Sequence, residues 1–172
     1  VASAQSTPSS SSANGLPRVV GREHWAIKKV PGQDIRLFMW NKRLAEPTAP
    51  AKATVLLVHG SSVSSTPVYD LAVPGRDDAS LMDWLARLGY DVWCFDCEGY
   101  GRSDKSRPVT ADVAMGADDL EVVSEVILRL SGSQQLMVYG SSSGALRAAL
   151  FAQRQPQRVA RLLLDAMVWT GE

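Results

Sequence analysis

The stretch Leu136-Met137-Val138-Tyr139-Gly140-Ser141-Ser142-Ser143-Gly144-Ala145-Leu146-Arg147 decides how this chain folds. It opens as a short apolar strand, turns abruptly, and continues as a helix. The turn holds Gly-x-Ser-x-Gly with Ser142 at its centre, the only one of the three serines with glycine two places to either side. A serine at the tip of so tight a strand-to-helix turn is held in a strained backbone conformation with its hydroxyl exposed. Side chains at the flanking positions would strike the neighbouring strand and helix, which is why glycine stands there. The helix that follows aims its free N–H groups and positive dipole end at the serine.

Working outward, buried strands and amphipathic helices alternate. Upstream, Thr54-Val55-Leu56-Leu57-Val58 is apolar without interruption and runs into His59-Gly60-Ser61-Ser62. A strand apolar on both faces belongs inside a sheet covered on both sides, usually a parallel one. A long loop is expected over 63–78, then an amphipathic helix over Ser80–Leu88 stopped by Gly89. The strand Tyr90–Phe95 leads into Asp96-Cys97-Glu98-Gly99-Tyr100-Gly101-Arg102-Ser103-Asp104. Leu120, Val123, Ile127 and Leu130 keep helical spacing within Asp112–Leu130. Beyond the central stretch, Val159–Asp165 reads as a further buried strand. At the other end, His24–Val30 and Ile35–Trp40 flank the turn Pro31–Asp34 as a β-hairpin, and 45–50 is a linker.

Strand alternating with helix at this spacing predicts a mostly parallel sheet with right-handed crossovers and helices on both faces. Function in such sheets gathers at the carboxyl ends of the strands. The polar clusters at 59–62, 96–104 and 140–144 all fall there.

Composition narrows the function classes. With 18 basic and 18 acidic residues, the chain offers no charge excess toward nucleic acid or an anionic membrane. No apolar run reaches the length of a membrane span. Its two cysteines, Cys94 and Cys97, are spaced C-x-x-C. Cys94 lies inside a strand rather than at a helix N-terminus, so the pair reads as packed thiols on opposite faces. Gly99-Tyr100-Gly101 opens like a dinucleotide fingerprint, but Asp104 stands where the third glycine belongs. Residues 1–17, rich in Ser, Ala and Pro, read as a flexible tail. Its start, Val1-Ala2-Ser3-Ala4-Gln5, has the small-residue pattern that precedes signal cleavage, which predicts a secreted or periplasmic protein; the alternative is the low-complexity tail of a cytoplasmic one.

From Trp25 to Asp165 the sequence resembles an α/β-hydrolase. The resemblance rests on Val58-His59-Gly60, on Asp-x-x-Gly-x-Gly-x-Ser over Asp96–Ser103, and on Gly-x-Ser-x-Gly, in that order. It implies an α/β fold with an N-terminal antiparallel hairpin, and residues 18–172 as the first part of the domain. It also implies Ser142 as nucleophile, with the backbone N–H groups of Ser61 and Ser143 forming the oxyanion hole. The implied activity is hydrolysis of an ester or related acyl compound without metal or organic cofactor. Acyl transfer, C–C bond hydrolysis or an inactive binding module are the alternatives. His59 is then a turn residue bonded to backbone, His24 a packing residue, and Asp104 a carboxylate that stabilises its loop. Asp165 occupies a place where some members carry the triad acid.

The family order runs serine, acid, histidine, yet His24 and His59 both precede Ser142. The expectation is therefore a partner segment, carrying the acid and the histidine together with the lid and last two strands. It would be a second polypeptide separated near Glu172, or the remainder of a truncated chain. The same segment would cover Leu162-Leu163-Leu164, which is too apolar for an open sheet edge.

Overall fold

The computed structural model describes residues 15–76, 78–108 and 112–167. Most of the expected tail, including the signal-like start, and the chain end at Glu172 lie outside the described residues. Among the described residues six strands form one sheet: β1 (Val19–Val30), β2 (Gln33–Leu44), β3 (Thr54–Val58), β4 (Asp91–Phe95), β5 (Leu136–Ser141) and β6 (Val159–Asp165). Their order across the sheet is β1-β2-β4-β3-β5-β6. The hairpin β1–β2 joins β4 antiparallel, while β4, β3, β5 and β6 run parallel. Among the described residues four α-helices pack on it, α1 (Ser65–Tyr69), α2 (Leu81–Arg87), α3 (Val113–Ser131) and α4 (Ser143–Arg154), and a 3-10 turn over Pro156–Arg158 leads into β6.

Alternation along the buried strands builds two cores. Leu56 and Val58 face one way and meet Leu120, Val123 and Ile127 of α3 with Ala148 and Phe151 of α4. Val55 and Leu57 face the other way, against Tyr69, Met82 and Ala86 of α1 and α2. Each large apolar side chain so removed from water contributes ~1.5–3 kcal/mol. Cys97 belongs to the first core and Cys94 to the second, as opposite-face packing requires. Both are free thiols, pushed up to about 12 by burial.

Several elements depart from the sequence reading. The hairpin strands are longer than expected and its turn shorter: Val30 pairs with Gln33 and Lys29 with Asp34. Gly32 takes φ 85° in the turn, which lets the ladder close over two residues. Within the expected loop, Ser65–Tyr69 is helical because Asp96 accepts both the N–H and the hydroxyl of Ser65, at 2.8 and 2.6 Å. Leu130 is half exposed in the last turn of α3. The largest difference is β6. It is hydrogen-bonded on one side only and Leu163 is 62% exposed, because no described helix covers the β5–β6 end of the α2 face.

A buried charge cluster ties the hairpin to α3. Lys28 Nζ donates to Asp119 Oδ1 and meets Glu98 Oε2 at 2.7 Å. Arg107 closes a fork on Glu98, and the Glu98 N–H donates to Asp119 Oδ2 at 2.8 Å. Removing one partner from such a cluster strands the others away from water. Lys28→Met should therefore cost about 3–5 kcal/mol. Lys29→Met, which breaks an exposed pair with Asp34, should cost under about 1 kcal/mol. Urea unfolding of both variants checks the contrast.

Candidate active site

Register brings the site together. Val58, the last residue of β3, is level with Phe95 at the end of β4 and with Gly140 near the end of β5. The turns at 59–62, 96–104 and 140–144 therefore open side by side at one rim of the sheet.

Ser142 sits between β5 and α4 at φ 55° and ψ −127°, a conformation costing a non-glycine residue of order 1–3 kcal/mol. Packing holds it there. A Cβ on Gly140 would overlap the backbone of Gly144 and Ala145, and one on Gly144 would strike the carbonyl oxygens of Val58 and His59. The first turn of α4 therefore lies directly on the ends of β3 and β5. The Ser142 N–H donates to the Asp165 carbonyl at 2.9 Å, and Ala145 N–H donates to the Ser142 carbonyl at 2.9 Å.

The three serines part company here. Ser142 is exposed. Ser141 Oγ lies 3.5 Å from Asp165 Oδ2. Ser143 Oγ is buried without a hydrogen-bond partner among the described residues, so what this residue presents at the helix start is its backbone. From the opposite side, the Cβ position on Gly60 lies 3.7 Å from Ser142 Oγ, and exposed Ser61 comes next in the chain.

Neither histidine is free to act as a base. His59 is fully buried; Cys97 N–H donates to Nε2 at 3.1 Å, and Nδ1 lies 2.6 Å from the Gly60 carbonyl oxygen. Burial holds its pKa below the ordinary value, with the bond to Gly60 opposing and Arg147 adding to the depression. His24 packs on Trp93 with ring centroids 4.8 Å apart, and three strands separate its own strand β1 from β5. Its pKa is also lowered, by burial first and by Arg22 next. Asp104 Oδ2 accepts from Arg36 N–H at 2.7 Å and pins its loop to β2. Asp165 Oδ2 accepts from the Tyr139 hydroxyl at 2.8 Å.

Some participants escaped the sequence reading. Asp96 organises the rim: one carboxylate oxygen holds Ser65 and the other accepts Arg102 N–H at 2.9 Å. Arg147 lies fully buried beneath the rim, donating to the His59 carbonyl at 3.3 Å with its guanidinium 5.7 Å from the Tyr100 ring centre. A signal was present: Gly144, Arg147, Ala148 and Phe151 keep helical spacing on the buried face, so a charge stands where apolar residues belong.

A strained serine at the head of a helix, beside a His-Gly turn on a parallel sheet, defines an α/β-hydrolase. The sequence pattern of the Hydrolase_4 family, serine aminopeptidase S33, matches residues 49–170, and the chain belongs to that family. Curated relatives include the 2-hydroxy-6-oxononadienedioate/2-hydroxy-6-oxononatrienedioate hydrolases of Paraburkholderia phymatum, 29% identical, and Cupriavidus pinatubonensis, 30% identical. In each, the 117 aligned residues span 68% of this chain and 37% of the relative. Similar folds include a Thermoplasma acidophilum protein described as a predicted CIB-like hydrolase, at TM-score 0.63 and 21% identity over 88% of this chain and 65% of that one. An esterase from Pyrococcus furiosus has TM-score 0.62 and 18% identity over 86% and 51%.

The two depressed histidines make stability depend on pH. Near the ordinary histidine pKa of about 6.5 the unfolded chain takes up protons that the folded chain refuses. Stability is thus fully present above that value and falls on acidification until the folded rings also protonate, by up to about 1.4 kcal/mol per pH unit for buried His59 and by less for the solvent-screened ring of His24. Denaturant series at about pH 7.5 and about pH 5.5 check this. Asp119, whose carboxyl is pushed up by burial, acts in the opposite sense, so proton NMR titration of the two rings assigns the loss; ordinary histidine pKa values there would remove this cause.

Proposed function

We propose that the protein is a serine hydrolase of esters or related acyl compounds, with Ser142 as nucleophile. The observation that carries this reading is the positive φ of Ser142 at the exposed head of α4. Ser142 attacks the acyl carbonyl, and the N–H groups of Ser61 and Ser143 receive the negative charge that develops on its oxygen. The tetrahedral adduct collapses by breaking the bond to the leaving group, which departs with the proton taken from the serine, and water then hydrolyses the acyl-enzyme to the carboxylic acid and free Ser142. These roles ask nothing of a metal or an organic cofactor.

The proton needs a base, since a serine hydroxyl is a weak nucleophile alone. With His59 bonded through both ring nitrogens and His24 at the far side of the sheet, the base and its acid come from a segment outside residues 1–172. The uncovered β5–β6 face, where Leu163 is exposed beside half-buried Tyr139, supports a place for that segment to pack. A second reading is hydrolysis of a carbon–carbon bond in an oxo-dioate, favoured by the names of the two curated relatives. The export suggested by Val1–Gln5 remains a proposal alongside these, tested by fractionating cells that express the full-length gene.

Three experiments bear on the reading, all with the full-length protein unless stated. A fluorophosphonate should label Ser142, and Ser142→Ala should abolish labelling and leave only the ~10³–10⁴-fold advantage over water that binding and the oxyanion hole retain. Ser141→Ala and Ser143→Ala should keep substantial activity. A dead Ser141→Ala variant with an active Ser142→Ala variant would move the nucleophile. Ser61→Pro should cost ~10²–10³-fold in kcat by deleting a donor, and Ser61→Ala far less; circular dichroism controls for folding. Finally, residues 1–172 alone should neither hydrolyse an activated ester nor stay soluble until a downstream segment is co-expressed. An active, monomeric fragment would return His24 and His59 to consideration.

A further inference from the structure

The turn from β3 contains one peptide group whose two ends do different things. The Gly60 carbonyl and the Ser61 N–H belong to the same plane and point in opposite directions. The carbonyl is turned inward to His59 Nδ1 at 2.6 Å. Cys97 N–H has only a proton to give, so the Nε2 atom it reaches at 3.1 Å must be the bare nitrogen of the ring. The proton of the neutral imidazole therefore resides on Nδ1 and is donated to Gly60.

We propose that His59 is a positioning residue whose ring, locked as the Nδ1–H tautomer by Cys97, clamps the Gly60–Ser61 peptide with the Ser61 N–H facing the reacting carbonyl. The inference rests on the reading of Ser142 and Ser61 given above and adds what sets the donor's direction. The preceding peptide is held as well, since Arg147 donates to the His59 carbonyl. Arg147 rides on α4, the helix that begins at Ser143, and Gly116 of α3 leaves the space its side chain fills. The two donors, one on each side of Ser142, are thereby referenced to a single rigid element. Tyr100 lies against the imidazole at a centroid distance of 4.8 Å, and full burial removes the solvent that would let the ring turn over. A neutral ring also keeps its charge out of a site whose donors are backbone dipoles.

Two substitutions separate the clamp from its support. Asparagine at 59 places an amide nitrogen where Nδ1 stands, so it can still donate to Gly60 but cannot reach Cys97. Glutamine places its amide at the Nε2 position, keeping the Cys97 bond and losing the clamp. In the full-length protein, with p-nitrophenyl acetate as substrate and fluorophosphonate titration to count competent sites, His59→Gln should lower kcat by ~10²-fold with KM nearly unchanged. His59→Asn should lose no more than about tenfold. Equal losses, or a worse Asn variant, would overturn the clamp. Nitrogen-15 NMR of histidine-labelled wild-type protein supplies a reading independent of turnover and of the variants' folding: His59 should show Nδ1 protonated and Nε2 bare. The reverse tautomer overturns the clamp, whereas a wild-type protein of the expected tautomer that no fluorophosphonate labels overturns the hydrolase reading instead.

Discussion

The close contact between the first turn of α4 and the end of β3 is the constraint on which the rest of the site depends. Gly144 lies so near the carbonyls of Val58 and His59 that no side chain fits between them, and Gly140 lies as near to Gly144 and Ala145. With helix and strands that close, the one residue joining β5 to α4 has no relaxed path to follow. Ser142 takes the strained conformation as a consequence, and its hydroxyl is left at the surface. Strain at that residue is offset by the packing of Ala148 and Phe151 further along the same helix.

The rim around Ser142 is rigid for a different reason: its turns are held by buried polar groups that bond across elements. Asp96 links the start of α1 to the turn after β4. Ser103 donates to the Asp96 carbonyl and accepts from Phe38 N–H, joining that turn to β2. His59 links the turns after β3 and β4. Below them, Lys28, Glu98, Asp119 and Arg107 form the buried cluster that anchors the hairpin to α3. Such groups contribute little net stability over an apolar filling, but each admits only one arrangement of its neighbours. For a site whose donors are backbone N–H groups, that specificity matters more than the energy.

The elements legible in the sequence were those fixed by local patterning. The apolar run 54–58 gave β3, the strand read over Tyr90–Phe95 gave β4, and the spacing of Leu120, Val123 and Ile127 gave α3. The glycine spacing singled out Ser142 among three serines because the contacts that demand glycine lie within a few residues of it. Where bonding partners are distant in the chain, the reading failed. Helix α1 reads as loop in the sequence because its N-terminal acceptor, Asp96, is 31 positions away. Strand β6 forms where the apolar run predicts it, but its burial depends on a covering segment, and among the described residues it is an open edge.

By itself, then, the sequence determined the alternation of strand and helix, the elbow and the serine at its tip, since period and turn chemistry are written within a handful of residues. It also determined that no histidine follows that serine among the 172 residues. Only the tertiary structure decided what the polar residues between those elements do. Burial of Arg147 under the rim, the tautomer of His59 and the pairing of Lys28 with Glu98 and Asp119 depend on strand order and register, which bring residues up to 91 positions apart into contact. A charge or an imidazole has no fixed role in a sequence pattern; its role follows from which donors and acceptors surround it once water is excluded.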